Sequence, residues 1–213
     1  MWFEGPIRQK QVTHDFLRQA VCTAAIVLTG FGLGVFSKYL DYRQTDLPRL
    51  LALLDQGLDL HNFLGELAPW LLLCAALAAY SRTPVRAAVN VFGFLSAMLA
   101  GYYLYCAQVA GFFPKSYALI WAGLTVLSPL PAFLCWYAKG QGPVAIGLSA
   151  AVLAVFISTT CSYGFWYFSV RSLPDAAVLL LAVLLFRRPL REMLLMLALS
   201  ALLAIVLQMI FPF

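Results

Sequence analysis

The chain has 213 residues, of which 63% are hydrophobic and 11% charged. Soluble domains carry about 25% charged residues, so too few remain here to cover a water-facing surface. Disorder is excluded too, because it needs low hydrophobicity, and the formal net charge of +5 points to basic ends of membrane spans rather than to nucleic acid.

What remains is an all-α polytopic transmembrane helix bundle, a single integral membrane domain over 1–213. A helical span needs about 20 mostly apolar residues, and the gaps between charges mark the spans. They are expected near 19–37, 63–81, 87–110, 116–138, 143–167, 173–186 and 193–213. That is seven spans, or six if the sixth only dips into the bilayer. Barrel strands would alternate apolar and polar, whereas Val178–Phe186 and Leu194–Leu207 are apolar on every face. The first residues hold Glu4, Arg8, Lys10, Asp15 and Arg18, too polar for a signal-peptide core. The first apolar run therefore reads as a retained span.

Small residues mark the first span: Gly30 and Gly34 form a G-x-x-x-G pair, and Ala20 and Ala24 extend it. Such a face packs helices closely or docks a partner membrane subunit. Lys38 and Asp41 follow at the boundary, three apart on one helix face. The outer loop 38–66 then carries a predicted amphipathic helix. Asp46 is its expected N-cap and Pro48 lies near its first turn. Leu47, Leu50, Leu51, Leu54 and Leu58 share one face. This helix either lies on the outer leaflet or acts as a lid.

Aromatic residues collect where the outer ends of later spans are expected. Trp70 opens the second span, and Tyr102, Tyr103 and Gln108 close the third. Tyr117 and Trp121 open the fourth, while Tyr163, Trp166 and Tyr167 close the fifth beside Ser158, Thr159, Thr160 and Ser162. An interfacial belt would enrich both ends. The one-sided gathering suggests an aromatic-lined pocket open to the outside, with an aromatic belt at headgroup level as the equal alternative. Asn62 in the loop, Gln108 and the Lys38/Asp41 pair are candidates to orient a ligand there. Asn90 predicts an interhelical hydrogen bond, and Pro129 and Pro131 predict a kink in the fourth span.

With the N-terminus inside, nine basic residues fall on inner segments and five on outer ones. That supports an inner-membrane protein with a cytoplasmic N-terminus. No catalytic residue, cofactor or metal site is expected. The five cysteines, Cys22, Cys74, Cys106, Cys135 and Cys161, lie singly in apolar runs. His14 and His61 fall on opposite sides, and no metalloprotease, nucleophile-elbow or P-loop motif is present. Every acid lies at or beyond a span end, which argues against a self-sufficient proton- or sodium-driven carrier.

No motif assigns a family, but the layout resembles the substrate-binding S components of energy-coupling-factor transporters. The resemblance lies in small size, a long loop after the first span, and small residues (Ala20, Ala24, Gly30, Gly34) on that span. It implies a partner docked on that face and a vitamin-like molecule bound from outside. The family ordinarily has six spans, one fewer than counted here. The expected function is small-molecule binding at an outward-facing aromatic pocket within a transport system. The alternative is a non-catalytic assembly or accessory subunit that docks a partner through the Gly30/Gly34 face. The expected partners are the bilayer, a membrane subunit and a small molecule.

Overall fold

Every charge-bounded apolar run contributes a helix in the computed structural model, which describes residues 7–10, 16–164 and 166–210. His14 and the end of the last expected span, residues 211–213, lie outside the described residues. The elements run α1 (Phe16–Tyr42), α2 (Arg49–Leu58), α3 (Leu60–Phe63), α4 (Ala68–Tyr80) and α5 (Pro84–Tyr105). A π-helical turn (Cys106–Ala110) extends α5. Then come α6 (Lys115–Leu127), α7 (Pro129–Ala138), α8 (Gly142–Thr160), β1 (Cys161–Tyr163), β2 (Phe168–Val170), α9 (Leu173–Leu185) and α10 (Leu190–Ile210).

The fold is nearly all-α. Four helices are long and apolar enough to cross a membrane: α1, α5 with its π turn, α8 and α10. Helices α6 and α7 meet at a 47° bend and supply a fifth if taken as one broken span. The bend falls at Ser128, between Leu127 and Pro129, in keeping with the expected proline kink. Helices α4 and α9 have 13 residues each. At 1.5 Å per residue each reaches about 20 Å, short of the roughly 30 Å hydrocarbon layer. Among the described residues, four or five helices are thus able to span a membrane, and the expected seven spans are not established.

Local chemistry sets the helix ends. Thr83 Oγ1 accepts from the Arg86 amide at 3.2 Å, just before Pro84 opens α5. Ser172 Oγ accepts from the Asp175 amide at 3.2 Å at the start of α9. Two expectations are corrected. Asp46 does not cap the loop helix: its amide closes a turn on Arg43 O at 2.9 Å, and α2 begins after Pro48 with no side-chain cap. The fifth apolar run is not helical to 167. It leaves the helix at Thr160 and forms an antiparallel hairpin, Cys161 opposite Val170 and Tyr163 opposite Phe168. Thr159 and Thr160 bond back to carbonyls of the preceding turn, and the β-branched and aromatic residues beyond suit strand pairing.

Packing is centred on α4, α5, α7, α8 and α9, with Trp136, Phe156, Leu153 and Phe186 fully buried. Helix α1 lies along α5 and α10 along α8. Their apolar windows are each only 17% buried, against 44% for α8, so they are the more peripheral of the four long helices. Close approach of α1 to α5 requires glycine. A Cβ on Gly34 would sit 2.0 Å from Met98 O, and one on Gly30 would sit 2.4 Å from Phe94 O. Asn90 finds the expected partners, accepting from Thr23 Oγ1 of α1 at 2.9 Å and donating to Ser81 Oγ at 3.2 Å.

Candidate functional site

The end of the bundle that carries the 38–66 loop brings aromatic and acidic side chains together. Trp70 at the start of α4, Tyr102 and Tyr103 at the end of α5, and Tyr117 and Trp121 on α6 line a slot. The loop is tied onto it. Trp70 Nε1 donates to Leu64 O at 3.0 Å, Tyr117 OH donates to Gly65 O at 3.4 Å, and Ser37 Oγ donates to Leu64 O at 3.3 Å. Inside, Tyr102 and Tyr103 meet edge-on at 5.1 Å, and Tyr117 and Trp121 at 6.4 Å. The slot holds about 30 Å³ of free space, room for about two waters and far below a ligand-sized cavity. The buried Tyr103 hydroxyl has no hydrogen-bond partner.

Over the slot opens a vestibule of about 590 Å³, which shares Ser37, Gly65, Tyr102 and Tyr117 with it. Its remaining lining is Asp41, Asp59, His61, Asn62 and Glu66. Asp41 forms an ion pair with Lys38. The Lys38 ammonium is itself buried and lies 5.5 Å from the Tyr102 ring centre and 5.0 Å from that of Phe112. That cation is committed to its carboxylate and two aromatic faces. At the α2–α3 bend Asp59 adopts a left-handed backbone (φ 51°). Its carboxylate accepts from Asn62 Nδ2 at 2.9 and 3.0 Å. His61 Nδ1 sits 2.9 Å from Asp55 Oδ2 and 3.4 Å from Asp59 Oδ1. Among the described residues no group of three or more His, Cys, Asp or Glu could hold a metal ion.

Of the sequence candidates, Asp41, Asn62, Tyr102 and Tyr103 line this double site, and Lys38 braces it. The others lie elsewhere. Gln108 sits exposed on the π turn and lines neither cavity. Tyr163 turns toward α10, donating to Ala204 O at 2.7 Å, and lines a separate small cavity with Tyr167 and Gln208. Trp166 is 93% exposed at the hairpin tip. The hairpin carries these three away because the helix stops at Thr160. Gly30 and Gly34 are buried against α5, so their face is already filled within the chain, while Ala20 and Ala24 stay exposed.

Glu66, with Asp55, Asp59 and His61, is a candidate cation or acid–base group from the sequence, but its neighbour Asp175 is not legible there. Asp175, in the first turn of α9, is fully buried. The Glu66 carboxyl, just before α4, lies within hydrogen-bonding reach of it. Burial raises the Glu66 pKa above its ordinary value, and the charges of Asp175 and Asp59 raise it further against the pull of Arg171. The Ser172-x-x-Asp175 spacing is a capping-box pattern and marks the helix start. It says nothing about the neighbour across the bundle. Comparison of the chain with protein-family models, with curated proteins and with solved structures finds no match in any of the three.

Proposed function

We propose that this chain is an integral membrane protein that binds a small molecule with a cationic group at its outer face, as one subunit of a transport system. The carrying observation is the vestibule, where the Asp41 and Asp59 carboxylates stand over a floor of Tyr102 and Tyr117. Carboxylates attract a cation, and aromatic faces bind ammonium groups with about 0.5–2 kcal/mol each. The floor slot is too small for a drug-sized ligand, so the head group rests in the vestibule and only a methyl-sized portion enters below. In this reading α4 and α9 complete seven membrane crossings, with neighbours covering their short ends, and the N-terminus is cytoplasmic.

The test is a titration of the detergent-purified protein with small quaternary ammonium compounds and their neutral alcohol counterparts, followed by tryptophan fluorescence. Trp70 and Trp121 line the slot and report on it. Saturable binding of the ammonium series alone supports the reading. Equal response to both series, or none, contradicts it.

A second reading, an accessory subunit that docks a partner, is favoured by α2. No residue of α2 is buried, and Leu50, Leu53 and Leu54 are exposed. Recovery of a stable complex that Leu50→Ser with Leu54→Ser abolishes would favour it.

A further inference from the structure

We propose that Glu66 and Asp175 form a proton-binding site at the loop end of the bundle, with one proton shared between the two carboxyl groups. Glu66 Oε2 and Asp175 Oδ1 are both buried, and neither has a hydrogen-bond donor. Two carboxylates are acceptors only, so their contact is stable only if one of them carries a proton and donates it to the other. A buried acceptor left unpaired is costly. A proton removes both deficits at once and needs no cavity, unlike any larger cation.

The surroundings assign the proton. On the α9 side, Asp175 Oδ2 accepts from Ser172 Oγ at 2.7 Å, and the first turn of a helix favours negative charge. On the other side, Glu66 leaves the α3–α4 connection, where Asp59 adds a like charge and Arg171, from the turn before α9, an opposing one. The Glu66 carboxylic acid is therefore the donor and Asp175 the acceptor. With the proton in place, Glu66 ties the loop end of α4 to α9. Its loss puts two negative charges side by side, and Glu66 is driven toward the vestibule that it also lines. The site stands whatever the vestibule binds.

The test is infrared difference spectroscopy of the purified protein during a pH titration. A protonated carboxyl stretch is expected to persist above the ordinary glutamate range. Glu66→Gln removes the band while helical circular dichroism is retained, because the amide still donates to Asp175 without a proton. Asp175→Asn keeps the band but lowers its midpoint, since the neighbouring negative charge is gone. Absence of the band in the native protein, its survival in Glu66→Gln, or an unmoved midpoint in Asp175→Asn overturns the proposal. Loss of the band on adding sodium at constant pH also overturns it, in favour of a metal-cation site.

Discussion

The two ends of the bundle use their charges in opposite ways. At the end away from the long loop, cations close helix C-termini. Arg8 donates to Ala79 O at 2.8 Å and to Trp136 O at 2.9 Å, and its guanidinium lies 4.5 Å from the Trp136 ring centre. Arg188 donates to Ala138 O at 2.6 Å and Gly140 O at 3.1 Å, and Lys139 donates to Leu185 O. The last carbonyls of α4, α7 and α9 have no partner within their own helices, and cations there also oppose the helix dipole. At the loop end, carboxyl oxygens of Glu66 and Asp175 lack donors, and a cavity stands open beside Glu66. Arg188 Nε is likewise buried without a partner, and a cavity of about 420 Å³ adjoins Lys139 and Arg188, so the contrast lies in sign: cations cap carbonyls at one end, and carboxyl oxygens lack donors at the other.

The largest effect is expected where charge holds the fold. Arg188→Ala leaves two carbonyls unpaired and should lower stability by about 2 kcal/mol or more, read as a fall in the thermal midpoint in detergent. An unchanged midpoint would erase the contrast between the ends. Next comes Tyr102→Ala, which removes an aromatic face common to slot and vestibule. It should weaken ammonium binding about tenfold and move the thermal midpoint less than Arg188→Ala does. Equal losses of stability in the two variants would show that the loop end is structural as well.

A smaller effect is tied to pH. Because the Glu66 pKa is raised in the folded protein, its contribution to stability is fully present below its ordinary value of 4.5. It is lost as the pH rises through the raised folded value. Thermal midpoints measured across that range should fall with rising pH in the native protein more than in Glu66→Gln. Parallel profiles would remove the shared proton from the account. The smallest effect belongs to Gln108→Ala. The residue is exposed and lines neither cavity, so stability should change by less than about 0.5 kcal/mol and the binding isotherm should superimpose on that of the native protein.

The charge gaps in the sequence located every long helix, because an apolar run without charges has few alternatives to a buried or membrane-facing helix. The gathering of Trp70, Tyr102, Tyr103, Tyr117 and Trp121 was also legible, since it depends only on which helix ends share a side. Contacts between distant elements were not. Gly30 and Gly34 advertise a close approach without naming α5 as the neighbour. Arg8 and Arg188 read as topology markers, although their donors reach carbonyls well removed in sequence. Asp175 read as a boundary acid because a helix-start pattern gives no sign of Glu66 beside it. Apolar continuity alone carries helix through Tyr163 and Trp166, but the helix stops at Thr160, where two threonine hydroxyls and a strand-prone run outweigh it.

The central claim, that the loop end is a binding site for a small cation, is tested most directly by native mass spectrometry of the detergent-purified protein supplied with a small quaternary ammonium compound. The account predicts one adduct per chain, weakened about tenfold in Tyr102→Ala and retained in Gln108→Ala. No adduct on the native protein, or one that survives Tyr102→Ala unchanged, would contradict it.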